Sequence, residues 1–251
     1  MATACITGAS SGIGMEFAKQ LSRMGYDLIL IARHTDILKN MAKTLPVRCQ
    51  VMPCDLSIEA DCIALADRLQ NRKIHILINN AGFGDLGDFD KTDLSKEMDM
   101  INVNIKALHI LTKKLLPGFK KRGRGYILNV ASSAGLLPGG PHMATYYATK
   151  AYVTSLTSAI STELKEAGSN VHISMLCPGP VNTNFNNVAG VTFSLNGIPP
   201  AYCASYALKH MFRGKLTIVP SLTMKLAVNS VRFIPRWAAT AITSHQQKKK
   251  Q

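Results

Sequence analysis

The chain predicts a single α/β domain: a doubly wound, mostly parallel sheet flanked by helices. Three observations lead there. Short apolar runs of strand type alternate with stretches whose apolar residues recur at helical spacing. A glycine-rich run, Thr7-Gly8-Ala9-Ser10-Ser11-Gly12-Ile13-Gly14, falls between the first such strand and the first such helix. The 251 residues are 47% hydrophobic, enough for one full core, and no linker divides them.

The elements follow in order. Ala4-Cys5-Ile6 is a short apolar strand, and residues 13–24 repeat their apolar positions at helical spacing. The glycines therefore lie at a strand-to-helix turn of Rossmann type. There Gly8 allows a tight turn, Gly12 lets backbone approach a pyrophosphate, and Gly14 lets helix pack on strand. Thr7, Ser10, Ser11 and Ile13 complete the turn. Asp27-Leu28-Ile29-Leu30-Ile31-Ala32-Arg33 is a buried parallel strand. Its end, where a carboxylate would take the ribose 2′-hydroxyl of NAD, holds Ala32 and Arg33, so NADP(H) is preferred and NAD(H) left open. Val51-Met52-Pro53-Cys54-Asp55-Leu56 is a third strand, whose Asp55, beside Leu56, faces the adenine.

The second chemical signature lies between residues 100 and 150. Tyr146 and Lys150, four apart on a helix, share a face; Tyr147 is less well aligned. A free tyrosine titrates near pH ~10, and an adjacent ammonium lowers that value. A pyrophosphate turn combined with a proton-moving pair points to a nicotinamide-dependent oxidoreductase.

These motifs resemble the short-chain dehydrogenase/reductase family from about Thr3 to Val219. Asn79-Asn80-Ala81-Gly82, after the strand 74–78, matches the family signature that steadies the sheet beside the cofactor. The resemblance implies that Asn104 binds a relay water next to the lysine. It also implies that Ser133, at the usual interval before the tyrosine in Ser132-Ser133-Ala134-Gly135, hydrogen-bonds the substrate oxygen. Tyr146 would exchange the proton, and Lys150 would depress the tyrosine pKa and hold the ribose. Pro178-Gly179-Pro180-Val181-Asn182-Thr183 would grip the nicotinamide carboxamide through Val181 and Thr183. NADP-preferring members often carry a basic residue just before the middle glycine, where this chain has Ser11, so Arg33 is the main warrant for NADP. The resemblance further implies a homodimer or homotetramer.

The six cysteines have no metal-type spacing, no signal sequence precedes the first strand, and no run approaches the ~20 apolar residues of a bilayer span. A cytoplasmic location is expected. A formal charge of +14 is dispersed, without the aromatic-interleaved basic motif of a nucleic-acid binder. Domain organisation is read as residues 1–220 for cofactor and catalysis, followed by an apolar-basic extension, 221–251. Pro235 would break its stretch 222–242 into two short helices, suited to packing, to a subunit contact or to a membrane surface. The loop 135–143 and a lid segment, 184–198 with Gly190 and Gly197, are mainly apolar or uncharged. They suggest an apolar ketone or alcohol as substrate, steroid-like or acyl, with Phe83 as a wall and His142 in reach.

Overall fold

The computed structural model describes residues 2–190 and 197–248. Seven strands, β1 (Thr3–Thr7), β2 (Asp27–Ala32), β3 (Cys49–Pro53), β4 (Ile76–Asn79), β5 (Gly125–Val130), β6 (Val171–Leu176) and β7 (Thr217–Ile218), form one sheet. Its order is β3-β2-β1-β4-β5-β6-β7, and every pairing is parallel. The chain runs outward from β1 to β3, then returns to lay β4 on the other side of β1. That reversal opens a crevice at the carboxyl ends of β1 and β4, the usual ligand position in such sheets.

Side chains alternate across each strand, so the apolar runs feed two cores. Ala4, Ile6, Leu28, Leu30, Ile76 and Ile78 face one side; Cys5, Ile29, Ile31 and Leu77 face the other. The first core is covered by α1 (Gly12–Arg23), α2 (Thr35–Thr44) and α8 (Pro200–Met211), through Phe17, Leu21, Leu38 and Leu208. The second is covered by α3 (Glu59–Gln70) and α5 (Leu108–Arg122), through Leu65, Leu69, Leu111, Leu115 and Phe119. Burial on both faces explains why β2 reads as an unbroken apolar run: all six of its residues are buried.

The remaining helices are α4 (Leu94–Ile101), α6 (Ala144–Glu166), the short α7 (Phe185–Ala189), α9 (Leu222–Ser230) and α10 (Arg236–Lys248). Residues Asn102–Ala107 join α4 to α5 as a π-helical turn. Between α9 and α10 the chain makes a 3₁₀ turn, Val231–Phe233, and breaks at Pro235 as its locked ring requires. A buried polar ladder crosses the sheet centre. Asn79 Nδ2 donates to Thr112 Oγ1 at 3.0 Å and Asn129 Oδ1 at 2.9 Å, and Asn129 Nδ2 donates to Thr157 Oγ1 at 2.9 Å. These bonds tie β4 and β5 to α5 and α6, which cover the same face of the sheet. Among the described residues no helix is long and apolar enough to cross a membrane.

Candidate active site

The glycine turn is built by two segments holding each other. Gly8 (φ +62°) and Gly12 (φ +53°) take the left-handed backbone that other residues resist. A Cβ on Gly8 would lie 2.9 Å from Ala81 Cα, and one on Gly14 would collide with Gly8 O and Asn80 Nδ2. Thr7 Oγ1 accepts from the N–H groups of Asn80 and Ala81, each at 3.0 Å. Asn80 Nδ2 donates back to Thr7 O at 3.0 Å and Gly8 O at 3.1 Å. Gly14 therefore makes room for the Asn80 clamp as well as for strand packing.

Just beyond, Ser11 caps α1 without a side-chain hydrogen bond, and the first turn holds no acid. Its orphan N–H groups and positive dipole end are available to an anion. A Cβ on Gly12 would lie 3.2 Å from Thr183 Cγ2, so the turn after β6 passes across this loop. Ser10, Ile13, Pro178, Gly179, Val181 and Thr183 border the same cavity. The cradle fits a dinucleotide.

At the edge after β2, Arg33 lines the cavity with Asp55 and Leu56. β3 ends at Pro53, so Asp55 stands in the loop rather than on the strand. Its Oδ1 accepts from Ser57 N at 3.0 Å and Ser57 Oγ at 2.8 Å. The backbone hydrogen bond from Ser57 leads in holding this carboxyl below its ordinary pKa; burial opposes it, and the Ser57 hydroxyl and the Arg33 guanidinium add to the lowering.

Tyr146 and Lys150 share the inner face of α6, with Lys150 Nζ 5.8 Å from the Tyr146 ring centroid. Lys150 Nζ donates to Val130 O at 3.0 Å. A Cβ on Gly82 would lie 2.8 Å from Asn104 Oδ1 and 3.2 Å from Lys150 Nζ, so the missing side chain lets these groups converge. The π turn presents Asn104 inward. Its Oδ1 accepts from Phe83 N at 3.1 Å, and its Nδ2 donates to Phe83 O at 2.9 Å and Thr149 Oγ1 at 3.0 Å. The Asn104 amide is thus a strut between the turn after β4 and α6; a water-anchoring role would fall to its main chain.

The electrostatics reverse one expectation. Burial pushes the Tyr146 phenol up to about 12, and the neighbouring Ser132 side chain pulls the other way. Burial also brings the Lys150 ammonium down to about 8. Removal of the phenol from water leads, so the net direction is up despite the neighbouring ammonium. Ser132 and Ser133 both line the cavity. Ser132 Oγ also accepts from Ala134 N at 3.1 Å. Ser133 N donates to Pro178 O at 2.8 Å, tying this loop to the turn after β6.

The cavity, about 860 Å³, runs from the glycine turn past Tyr146 to an apolar end lined by Phe83, Leu137, Met143, Phe185, Val188 and Met224. A Cβ on Gly84 would lie 2.9 Å from Phe185 Cζ and 3.2 Å from Tyr146 Cδ2, so this glycine keeps the approach to the tyrosine open. His142 is not part of the lining; it takes a left-handed backbone (φ +65°), and its Nδ1 pairs with Asp88 Oδ1 at 2.6 Å. Of the lid segment, residues 191–196 lie outside the described residues. Ile198 pairs with Val181 across a parallel bridge, and Gly190 takes a left-handed backbone (φ +64°).

The C-terminal extension supplies a wall that sequence reading missed. On α10, Ala239, Thr243 and Gln247 recur every four residues and are buried. Gln247 Nε2 donates to Tyr147 OH, and Thr240 Oγ1 reaches Pro138 O at 3.4 Å. From α9, Met224 packs on Gly179. The four-residue recurrence was the available signal, but it does not say what the face covers.

Residues 2–191 match the family model of short chain dehydrogenases. The chain is a short-chain dehydrogenase. It is 34% identical over 175 residues to the very-long-chain 3-oxoacyl-CoA reductase of Coprinopsis cinerea, covering 66% of this chain and 51% of that one. It is also 32% identical over 197 residues to hydroxysteroid dehydrogenase-like protein 1 of Gallus gallus, covering 75% and 58%. The match thus takes in little more than half the length of these relatives. Among solved structures, a short-chain dehydrogenase from Sphingobium yanoikuyae in complex with NADPH superposes with a TM-score of 0.83 at 31% identity, over 93% of this chain and 94% of that one. One from Burkholderia phymatum in complex with NAD gives 0.82 at 25%, over 91% and 92%. Both solved relatives are thus complexes with a nicotinamide dinucleotide.

Proposed function

We propose that the enzyme is an NADPH-dependent reductase of hydrophobic ketones. The observation that carries this reading is the buried Tyr146 phenol, on the α6 face it shares with Lys150, lining an apolar cavity that also takes in Ser132 and the glycine turn. A phenol so placed is equipped to donate a proton at neutral pH. The bound nicotinamide would supply hydride to the carbonyl carbon. Tyr146 protonates the developing alkoxide, Ser132 donates a hydrogen bond to it, and Lys150 holds the ribose while fixed to Val130 O. Ser132 takes the role that interval counting gives to Ser133. On this basis Ser132→Ala lowers kcat by about 10²–10³-fold, the usual cost of one oxyanion donor. Ser133→Ala stays within about tenfold, since only its main chain is engaged. Steady-state kinetics of both variants, with melting curves as a control for folding, decide between the serines; the reverse ranking restores Ser133.

Cofactor preference rests on Arg33, which borders the cavity where β2 ends without a carboxylate. Arg33→Ala should weaken NADPH about 10- to 100-fold, the scale of a charge-assisted hydrogen bond, and leave NADH nearly unchanged. Equal losses in a fluorescence titration would show that Arg33 does not read the 2′-phosphate.

A second reading, reduction of a 3-oxoacyl thioester, is favoured by the names of the relatives and by the absence of acid in the last third of the chain. Oxidation of NADPH and NADH against ketosteroids, 3-oxoacyl thioesters and small aldehydes separates the two. Turnover of the thioesters alone selects the second reading, and turnover of small aldehydes alone removes both.

A further inference from the structure

The last third of the chain carries its positive charge without counter-charge. From residue 167 to 251 there is no aspartate or glutamate, against nine lysines and arginines. The same region leaves large apolar side chains in solvent: Leu222 is 72% exposed, Leu226 62%, Phe233 90% and Trp237 77%. Soluble surfaces scatter such residues singly; here four fall on one short segment.

The segment is two-sided. Toward the protein, Met224 packs on Gly179, Val228 is buried, and Ala239, Thr243 and Gln247 close the cavity. Toward solvent stand Leu222 and Leu226, one helical turn apart, then Phe233 and Trp237 on either side of the Pro235 break, with Lys225 and Arg236 exposed beside them. Ile242 lines the cavity yet is 55% exposed, so the cavity's mouth opens at this face.

We propose that the α9–α10 face docks on the surface of an anionic lipid bilayer, with Phe233 and Trp237 in the headgroup region and the basic residues against lipid phosphates. Aromatic and aliphatic side chains interleaved with lysine and arginine, on helices too short to span, are the pattern of an interfacial segment. Charge complementarity selects this occupant over a second copy of the chain. A two-fold self-contact would set Lys225 and Arg236 of one copy against the same cations of the other, with no acid in the segment to pair them. Docking would also turn the cavity mouth toward the lipid, a route for an apolar ketone. That consequence rests on the proposed function; the docking does not.

The test uses the full chain with vesicles of phosphatidylcholine alone or mixed with phosphatidylglycerol. Sedimentation reads the bound fraction, and gel filtration and NADPH binding are measured alongside, so turnover plays no part. The chain should bind the phosphatidylglycerol vesicles at least about tenfold more tightly than the neutral ones, and less so as salt rises. Phe233→Glu/Trp237→Glu and Lys225→Glu/Arg236→Glu should each lower that binding at least about tenfold with NADPH affinity unchanged. Absence of binding to anionic vesicles at low salt, equal binding to both vesicle types, or binding untouched by both pairs of substitutions would overturn the proposal. A dimer that Phe233→Glu/Trp237→Glu converts to monomer, with no vesicle binding, would assign the face to a second copy instead.

Discussion

Tyr146→Phe is expected to lower kcat by about 10²–10⁴-fold, the range of general acid catalysis, while NADPH affinity stays within about twofold. The substitution removes one oxygen. The ring keeps its neighbours, with Phe185 at 5.6 Å and Tyr147 at 6.3 Å between centroids, so α6 has no reason to shift. Lys150 stays anchored to Val130 O. What disappears is the only phenol set against Ser132 among the described residues, and with it the proton for the substrate oxygen. Kinetics at saturating NADPH and a fluorescence titration measure the two quantities separately. Near-normal turnover would remove Tyr146 from the mechanism.

Lys150→Met should have opposite effects on activity and stability. In the folded chain the lysine is 4% exposed, and burial brings its pKa from 10.5 down to about 8. Its folded value is below its unfolded one, so between pH 8 and 10.5 the unfolded chain binds the extra proton and stability rises with pH. Below pH 8 the buried ammonium is a constant cost, on the order of 3 kcal/mol at about 1.4 kcal/mol per unit. The hydrogen bond to Val130 O offsets about 1 kcal/mol of any gain on substitution. Lys150→Met should therefore stabilise the cofactor-free chain by about 2 kcal/mol at pH 7 and flatten the rise between pH 8 and 10. Turnover should collapse because the ribose and the tyrosine lose their positioning cation. Tyr146 acts in the opposite sense above pH 10, where its raised folded value makes stability fall. Urea denaturation across pH measures both slopes. A destabilised variant at pH 7, or an unchanged slope, would show that the ammonium's burial costs little.

The features legible in the sequence are those whose geometry is local. A strand followed by Gly8, Gly12 and Gly14 admits few backbones, and Tyr146 with Lys150 shares a helical face by spacing alone. The two-core sheet follows from alternation within β1, β2 and β4. What escaped depends on distance in the chain. Choosing Ser133 by counting back from the tyrosine assumes a loop length, and Ser132 and Ser133 both line the cavity. The expected depression of the tyrosine pKa considered the lysine and not the surroundings that bury both. His142 looked available until Asp88, 54 residues away, claimed it. The wall from α10 rests on Tyr147 and Gln247, 100 residues apart, and no local pattern reports such a contact.

That last contact joins two consecutive stretches of chain. Everything that handles the cofactor and the proton, from Gly8 to Thr183, precedes the two helices that close the far end of the cavity. The segment after Ser221 meets that machinery at two points, Met224 on Gly179 and Gln247 on Tyr147. The fold thus builds the glycine turn from early strands and closes the far wall of the same cavity with α9 and α10.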